Sequence, residues 1–141
     1  IFTAPIEDSA EGHIYFESPG VFFGQKMEGI QLEFSQGCVV KANAETNATF
    51  LHQLVNMDEG SQRIGEFGIG TNKHIQRCCQ NLFYDEKILG TIHIALGRAY
   101  KDCGGVNQSD LHWDIVKDLR IDGAIYLDNR KIFEDGTFYL D

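Results

Sequence analysis

Alternating hydrophobic and polar positions predict short strands in the first third of the chain. The segments "IQLEF" and "CVVKANA" alternate on either side of "SQG". This pattern predicts a hairpin that pairs 30–34 with 38–42 through a bulged, glycine-bearing loop of about three residues. The aromatic and β-branched runs "HIYF" (13–16) and "VFFGQKM" (21–27) are each predicted to form one strand, with the turn signal "SPG" between them.

The hydrophobic period changes to a helical one after residue 45. Apolar residues recur at helical spacing at Phe50, Leu51, Leu54 and Val55. Because Thr46 or Asn47 can cap the start, we predict one main helix near 46–57. The segment "DEGSQRIG" predicts a second short helical turn, closed by Gly65 as a C-terminal cap. A short extended piece, "EFGIG", then begins at Glu66.

The second half of the chain predicts more strands. The run "TIHIALG" (91–97) is typical of a buried strand, and "LHWDIV" (111–116) of another; between residues 72 and 89 we expect loop with one or two helical turns. The C-terminal "GAIYLDNRKIFEDGTFYLD" contains two turn signals between three apolar runs, which predicts a meander. The predicted class is therefore α+β: a single domain, 1–141, of mostly antiparallel sheet, barrel-like or open, with a few short helices.

Composition narrows the possible partners and the compartment. The chain has 21 acidic and 12 basic residues and a formal net charge of −9, and its basic residues are scattered. Nucleic acid and anionic membrane surfaces are therefore disfavoured as partners. A membrane-spanning apolar run and the layout of a signal peptide are both missing, which indicates a cytoplasmic protein. The sequence starts without a methionine, in a segment with the character of a strand, so we expect a piece of a longer chain.

The four cysteines, Cys38, Cys78, Cys79 and Cys103, are expected to be reduced thiols. Two of them are adjacent, and neighbouring cysteines rarely bridge each other without strain. A thiol-based redox centre at Cys78 and Cys79 is disfavoured, because the pair lacks C-x-x-C spacing.

The segment "SDLHWDIV" carries the first candidate chemistry. Residues two apart in a strand point to the same face, so His112 and Asp114 project together while Trp113 points to the other side. An imidazole and a carboxylate that converge suit a divalent ion of the zinc, cobalt or manganese class. An ordinary hydrogen-bonded pair is the alternative interpretation.

Two further residues strengthen the hypothesis of a metal site. His93 lies in a strand of Thr, Ile and Ala, where a buried imidazole needs a polar partner. Glu66 lies between glycine-flanked turns, where burial of a carboxylate is costly unless a cation pairs with it. Taken singly, His93 is expected to be a core histidine bonded to backbone, and Glu66 a surface residue. Together with His112 and Asp114 they supply two imidazoles and two carboxylates on rigid extended segments.

Four segments in order carry a family resemblance. The segments "IFTAPIEDSAEG", "DEGSQRIGEFGIG", "IHIALGRAY" and "NQSDLHWDI" resemble the M29 family of metallo-aminopeptidases, of the aminopeptidase T and aminopeptidase S type. The resemblance covers essentially the whole chain and implies that it corresponds to the C-terminal, catalytic half of such an enzyme.

The resemblance also implies a site that ligates two divalent ions (Zn, Co or Mn). The matching positions are Glu66 of a "GE" motif, His93 and Tyr100 of "HxALGxAY", and His112 and Asp114 of "HxD". A further glutamate, at the spacing "E-x-FTAP", would fall just before Ile1. Without it we expect the isolated 141 residues to bind metal weakly and to have little or no activity.

The implied reaction removes N-terminal amino acids from peptides by means of a metal-activated water. Glu66 would ligate metal and accept the proton of the water, and Tyr100 would donate a hydrogen bond to the oxyanion. The implied substrates are peptides with a free N-terminus. The resemblance also suggests a homodimer, for which the aromatic-rich strands near Phe16, Phe22 and Phe23 could supply an interface.

A second hypothesis, of a different class, is a non-catalytic binding or dimerisation module that retains the fold; metal content separates the two. Eleven residues lie between Tyr100 and His112, fewer than we expect of the bacterial members of the family. This segment would help to shape the substrate cleft, so the side-chain preference of the family is not carried over.

Overall fold

The computed structural model describes residues 1–139, which form mainly short antiparallel strands. The strands are β1 (Phe2–Thr3), β2 (Gly12–Phe16), β3 (Gly20–Phe22), β4 (Gln25–Met27), β5 (Ile30–Ser35), β6 (Cys38–Asn43), β7 (Ile64–Ile69), β8 (Thr91–Gly97), β9 (His112–Asp118), β10 (Ala124–Leu127), β11 (Arg130–Glu134) and β12 (Thr137–Phe138). The α-helices are α1 (Ala48–Val55) and α2 (Leu82–Asp85), and the 3-10 turns are Gly60–Gln62 and Lys101–Cys103.

The strands form open sheets, so the predicted α+β class is confirmed in its open form. The largest sheet has the order β1-β7-β8-β9, and all of its pairs are antiparallel. A second sheet has the order β2-β5-β6, and β3 pairs with β4. The predicted C-terminal meander is confirmed as the sheet β10-β11-β12.

The predicted hairpin of 30–34 with 38–42 is confirmed, with a tighter turn than expected. β5 and β6 are joined by two residues, Gln36 and Gly37, which both have positive φ. The bulge lies inside the ladder, at the register shift between Glu33 and Phe34, and not in the turn. A two-residue turn of this type matches the right-handed twist of the flanking strands, so no third residue is needed.

The prediction of a single strand at 21–27 is wrong. This segment contributes to two strands, β3 and β4, which pair with each other as a hairpin. Its turn is Phe23–Gly24, with φ values of 46° and 75°. Gly24 adopts a positive φ without steric cost and so permits the reversal, although the apolar run around it is typical of a continuous strand.

The helices are shorter than their sequence patterns predict. The helix expected near 46–57 is α1, which begins at Ala48 and ends at Val55, and Asn47 precedes it without a side-chain capping bond. The second helical turn is confirmed as Gly60–Gln62. The role of Gly65 as a helix cap is wrong: Arg63 is already extended, and Gly65 lies inside β7.

The hydrophobic core lies between the two larger sheets and α1. It contains Ile94 and Leu96 of β8 and Trp113 and Ile115 of β9, packed with residues of β2, β5 and α1. Phe16 is also fully buried in this core, so it cannot supply a dimer interface, whereas Phe23 is 91% exposed.

Other predictions concern the irregular parts of the chain. Between residues 72 and 89 the structure has loop and the single helical turn α2, as predicted. All four cysteines are free thiols, also as predicted. Within residues 1–139, no helix is long and apolar enough to cross a membrane.

Candidate metal centre

The sequence-predicted ligands share one face of the sheet formed by β7, β8 and β9. Asp114 and Glu66 both pair with Ala95 of β8, from opposite sides. His112 pairs with Gly97, and His93 lies two residues from Ala95 along β8. Paired residues of antiparallel strands point to the same face, and so do residues two apart within one strand. The strands that carry His93 and His112 are therefore neighbours in one sheet, with both imidazoles on the same face.

A β-bulge brings Glu66 to this face. Ile64 pairs with Leu96 and Glu66 pairs with Ala95, so Gly65 is left without a partner in the ladder. In a regular strand Ile64 and Glu66 would point the same way; the extra residue lets Ile64 pack on the core while Glu66 points to the opposite side. Glu66 thus reaches the site from β7 itself and not from an adjacent turn.

Small residues in the middle of the face make room for the larger side chains. Ala95 lies at its centre, and Gly68 of β7 is the partner of His93. A Cβ atom at Gly68 would lie 2.1 Å from Cε1 of His93, a distance that real Cβ atoms do not reach. The imidazole of His93 therefore lies over Gly68, and it can do so because glycine has no side chain.

The four side chains converge in a buried cluster. Nε2 of His93 lies 3.2 Å from Oε1 of Glu66, and Nε2 of His112 lies 3.5 Å from Oε2 of Glu66 and 3.4 Å from Oδ2 of Asp114. Potential ligand atoms of Glu66, His93 and Asp114 all lie within 4.8 Å of one another. Residues from three separate strands thus place two carboxylates and two imidazoles around one point.

The surroundings of Glu66 leave its negative charge poorly compensated. The residue is 7% exposed, so the expectation of a surface glutamate is wrong. Within residues 1–139 its ion-pair partners are His93 and His112, which are charged only when protonated. A buried carboxylate without a permanent cationic partner is costly, and this favours a cation at the centre of the cluster.

The orientation of the His112 ring also favours a cation at the centre of the cluster. Nδ1 of His112 lies 2.8 Å from the carbonyl oxygen of Arg98, so the ring donates its Nδ1 hydrogen there. Nε2 is then directed at the two carboxylates, which suits either a proton or a metal ion at that position. The hydrogen bond to Asp114 is the main reason that the pKa of His112 is raised above 6.5.

His93 is buried, but its partner is not the backbone. Its Nε2 contacts Glu66, so the interpretation of His93 as a core histidine bonded to backbone is wrong. Its Nδ1 is buried and has no hydrogen-bond partner within residues 1–139.

Tyr100 lies at the rim of the cluster. It follows β8 by three residues, is 50% exposed, and contacts the ring of His112 edge-on at a centroid distance of 5.4 Å and the ring of Phe2 at 5.6 Å. Partial burial and the charges of Glu66 and Asp114 raise its pKa. Tyr100 therefore keeps its hydroxyl proton and remains a hydrogen-bond donor.

A cavity of about 410 Å³, here called the site cavity, opens above the cluster. Its wall includes the five predicted site residues and four that the sequence analysis missed: Thr71, Asn72, Glu86 and Lys87. These four lie in or beside the irregular segment before β8, where no hydrophobic period predicts which side chains point inward. Lys87 pairs with Glu86 at 2.5 Å, so together they bring no net charge to the cavity.

The sequence is similar to a known protein family and to characterised enzymes. The family model described as thermophilic metalloprotease (M29) matches residues 1–138. Aminopeptidase 2 of Geobacillus stearothermophilus is 30% identical over 98% of the chain, and aminopeptidase T of Thermus thermophilus is 29% identical over 97%. The chain spans 38% and 36% of the length of these two relatives.

Solved structures show the same fold. The structure of wild-type AmpT from Thermus thermophilus has a TM-score of 0.78 and 28% identity, and covers 99% of this chain and 39% of its own. The 2,5-dihydroxypyridine dioxygenase of Pseudomonas putida has a TM-score of 0.76 at 21% identity, covering 99% of this chain and 43% of its own; this likeness concerns the fold alone. On the match to the family model, the chain belongs to the M29 family of metalloproteases.

Proposed function

We propose that this chain forms the metal-binding centre of an aminopeptidase that removes N-terminal amino acids from peptides. The observation that carries the proposal is the convergence of Glu66, His93, His112 and Asp114 beside an open cavity. Among residues 1–139, the ion-pair partners of the buried Glu66 carboxylate are imidazoles. The curated relatives are aminopeptidases, which supports peptides as the substrate class.

The donor set fits divalent ions of the zinc, cobalt or manganese class. Imidazole nitrogen and carboxylate oxygen are the ligands that these ions commonly take in proteins. The two oxygens of Glu66 face different imidazoles, Oε1 toward His93 and Oε2 toward His112. This division supports a site for two ions, in which Glu66 and His93 would hold one ion and His112 and Asp114 would hold the other.

Each residue has a role in the proposed hydrolysis. Divalent ions in such a site supply Lewis acidity, which favours ionisation of a water and polarises the scissile carbonyl. Glu66 holds metal and accepts the proton of the attacking water. Tyr100 retains its own proton and donates a hydrogen bond to the oxyanion that develops on the carbonyl oxygen. The α-amine of the substrate binds at the centre, which restricts cleavage to the first peptide bond. The homodimer stays a prediction.

Metal uptake tests the proposal directly. The chain should take up Co²⁺, Zn²⁺ or Mn²⁺ in equilibrium dialysis, and Co²⁺ should give visible absorption bands of a site with nitrogen and oxygen ligands. Asp114→Asn should weaken uptake, whereas Asp110→Asn, a change to an exposed carboxylate four residues earlier, should not. Any residual hydrolysis of leucine p-nitroanilide by these 141 residues should stop with a chelator and return with metal.

Two results would contradict the proposal. Equal metal uptake by the wild type and Asp114→Asn would place the ion elsewhere. A folded chain that takes up no divalent ion would favour the non-catalytic module.

A further inference from the structure

A second, smaller cavity lies against the candidate centre. This small cavity has a volume of about 80 Å³, and its wall includes Asp114 together with the apolar side chains of Pro19, Val21, Leu82 and Val116. Asp114 also lines the site cavity, so one proposed ligand separates the two spaces. The small cavity has no part in the mechanism described above.

The register of β9 fixes where the small cavity begins. Val116 follows Asp114 by two residues on the same face and is the direct partner of His93 on β8. Side chains two apart on a strand are about 7 Å from each other. The apolar wall therefore starts beside two of the proposed ligands, within one side-chain length of them.

The two carboxylates on the wall of the small cavity are already engaged. The carboxylate of Asp85 accepts hydrogen bonds from the backbone N–H groups of Cys79 at 2.8 Å and Asn81 at 3.1 Å. Asp114 is directed toward His112. Neither carboxylate is free to pair with a basic ligand, and the rest of the wall, which also includes Ser18, Cys78 and Gln80, is mainly apolar.

The volume limits what can enter. A cavity of roughly 150 Å³ binds benzene, which has six carbons, so about 80 Å³ holds three or four aliphatic carbons. Valine and leucine side chains have this size. Aromatic side chains exceed it.

We propose that the small cavity binds the side chain of the substrate's N-terminal residue and selects aliphatic side chains of three or four carbons; this inference rests on the proposed function. The α-amine and the scissile carbonyl are both attached to the α-carbon of that residue. When the α-amine and the carbonyl lie at the proposed ligands, the side chain of the N-terminal residue begins within two bonds of both groups. The small cavity begins there, while the larger site cavity receives the rest of the peptide.

Amino-acid amides as ligands test the inference without any need for turnover. Methyl NMR of the intact chain, with and without Zn²⁺, would follow titration with leucinamide, glycinamide, lysinamide and phenylalaninamide. Leucinamide should shift the methyl signals of Val21, Leu82 and Val116. Because about three additional carbons become buried, it should bind roughly tenfold or more tighter than glycinamide.

Variants change the volume of the small cavity in opposite directions. Val21→Trp should fill it and reduce the preference for leucinamide over glycinamide to near unity. Leu82→Ala should enlarge it and improve phenylalaninamide relative to leucinamide by about tenfold. Phe23→Trp is the matched control for Val21→Trp, since it lies in the same hairpin, is almost fully exposed and is not part of the wall, and it should leave the preferences unchanged.

The outcomes separate this inference from the proposed function. A preference for leucinamide that survives Val21→Trp, shifts confined to Ile69 and Thr71 of the site cavity, or a preference for lysinamide would each overturn the small cavity as this subsite, even if the chain binds metal and hydrolyses peptides. The expected methyl shifts in a chain that takes up no metal would support the subsite while the proposed function fails.

Discussion

The two faces of the β7-β8-β9 sheet use the same three strands for opposite purposes. One face carries Ile94, Leu96, Trp113 and Ile115 and is packed in the core. The other carries Glu66, His93, His112 and Asp114 and faces a cavity. Along β8 and β9 the residues of the two faces alternate in the sequence. One set packs in the apolar core, and the other lines a polar cavity.

The difference between the faces separates stability from binding. Large side chains fill the core face, where burial of apolar surface stabilises the fold. Small residues, Ala95 and Gly68, occupy the middle of the site face, where they leave room and add little packing. The site face also holds the buried carboxylate of Glu66, which has no permanent cation as a partner in the described part of the chain. We therefore expect substitutions on the core face to change the free energy of unfolding and those on the site face to change metal binding.

The largest effect is expected on the core face. Leu96→Ala should lower the free energy of unfolding by about 2–5 kcal/mol, because a fully buried leucine leaves a cavity that its neighbours fill only in part. Urea unfolding of the metal-free chain measures the change. Val40→Ala, on an exposed position of β6, is the control and should cost far less. A loss at Leu96 no larger than that at Val40 would contradict the assignment of this face to the core.

The next effect concerns the site face, where a substitution should weaken metal binding without lowering the free energy of unfolding. Glu66→Gln should weaken metal binding at least about a hundredfold, since it removes a ligand, and loss of a group that merely supports a ligand already costs about 10–100-fold. The free energy of unfolding of the metal-free chain should not fall, because a neutral amide of the same shape replaces a buried charge. Calorimetric titration and urea unfolding of one variant measure both quantities. A destabilised metal-free variant would show that Glu66 acts as a structural residue.

The sequence predicts the core face better than it predicts the site. Apolar positions in β5, β8 and β9 follow the period of a strand, so the hydrophobic pattern alone predicts these elements and which side is buried. The turn at Phe23–Gly24 was missed because Phe23 continues the apolar run that begins at Val21, and such a run does not mark a reversal. The ends of α1 were missed because the apolar period locates only the buried residues of the helix, and Asn47 precedes the helix without the side-chain capping bond that was expected.

The site shows what a local pattern leaves out. The spacing of His112 and Asp114 predicts that they share a face, and they do. The arrival of Glu66 on that face depends on the bulge at Gly65, which arises from pairing between strands and has no signal within β7. The lining residues Asn72 and Lys87 come from a segment without any period, so only the tertiary structure brings them to the site cavity.

An intermediate effect tests whether the position of His93 depends on the absence of a side chain at Gly68. Gly68→Ala places a Cβ atom in the volume that the ring of His93 occupies, so the imidazole must move. Metal affinity should fall about tenfold or more, as for other changes that misorient a ligand. Ala95→Gly is the matched control: it removes bulk from the same face and should leave affinity nearly unchanged. Equal affinity of Gly68→Ala and the wild type would show that His93 does not need its present position.

The smallest effect concerns a carboxylate that does have a permanent cation. Asp118 lies at the end of β9, and its Oδ1 and Oδ2 accept hydrogen bonds from Nε of Arg120 at 2.9 and 3.1 Å and from Nη2 at 2.5 Å. These bonds are the main reason that the pKa of Asp118 is lowered from 3.8. Because the pair is about one-third exposed, Asp118→Asn should cost less than about 1 kcal/mol at neutral pH.

The pH dependence of Asp118→Asn separates a charge effect from a packing effect. A lowered pKa in the folded state means that the ionised form is favoured by folding, so its contribution to stability is present above pH 3.8 and is lost as the pH falls through the lower, folded-state value. The difference between wild type and Asp118→Asn in urea unfolding should therefore persist from pH 7 to about 4 and shrink below it. Asp110→Asn, at a highly exposed carboxylate, should show almost no difference at any of these pH values. If the difference in free energy of unfolding between wild type and Asp118→Asn stays constant down to pH 3, Asp118 stabilises the fold by packing and not by its charge. The contrast between Asp118, which has a cationic partner, and the cation-poor cluster of Glu66 would then not be electrostatic.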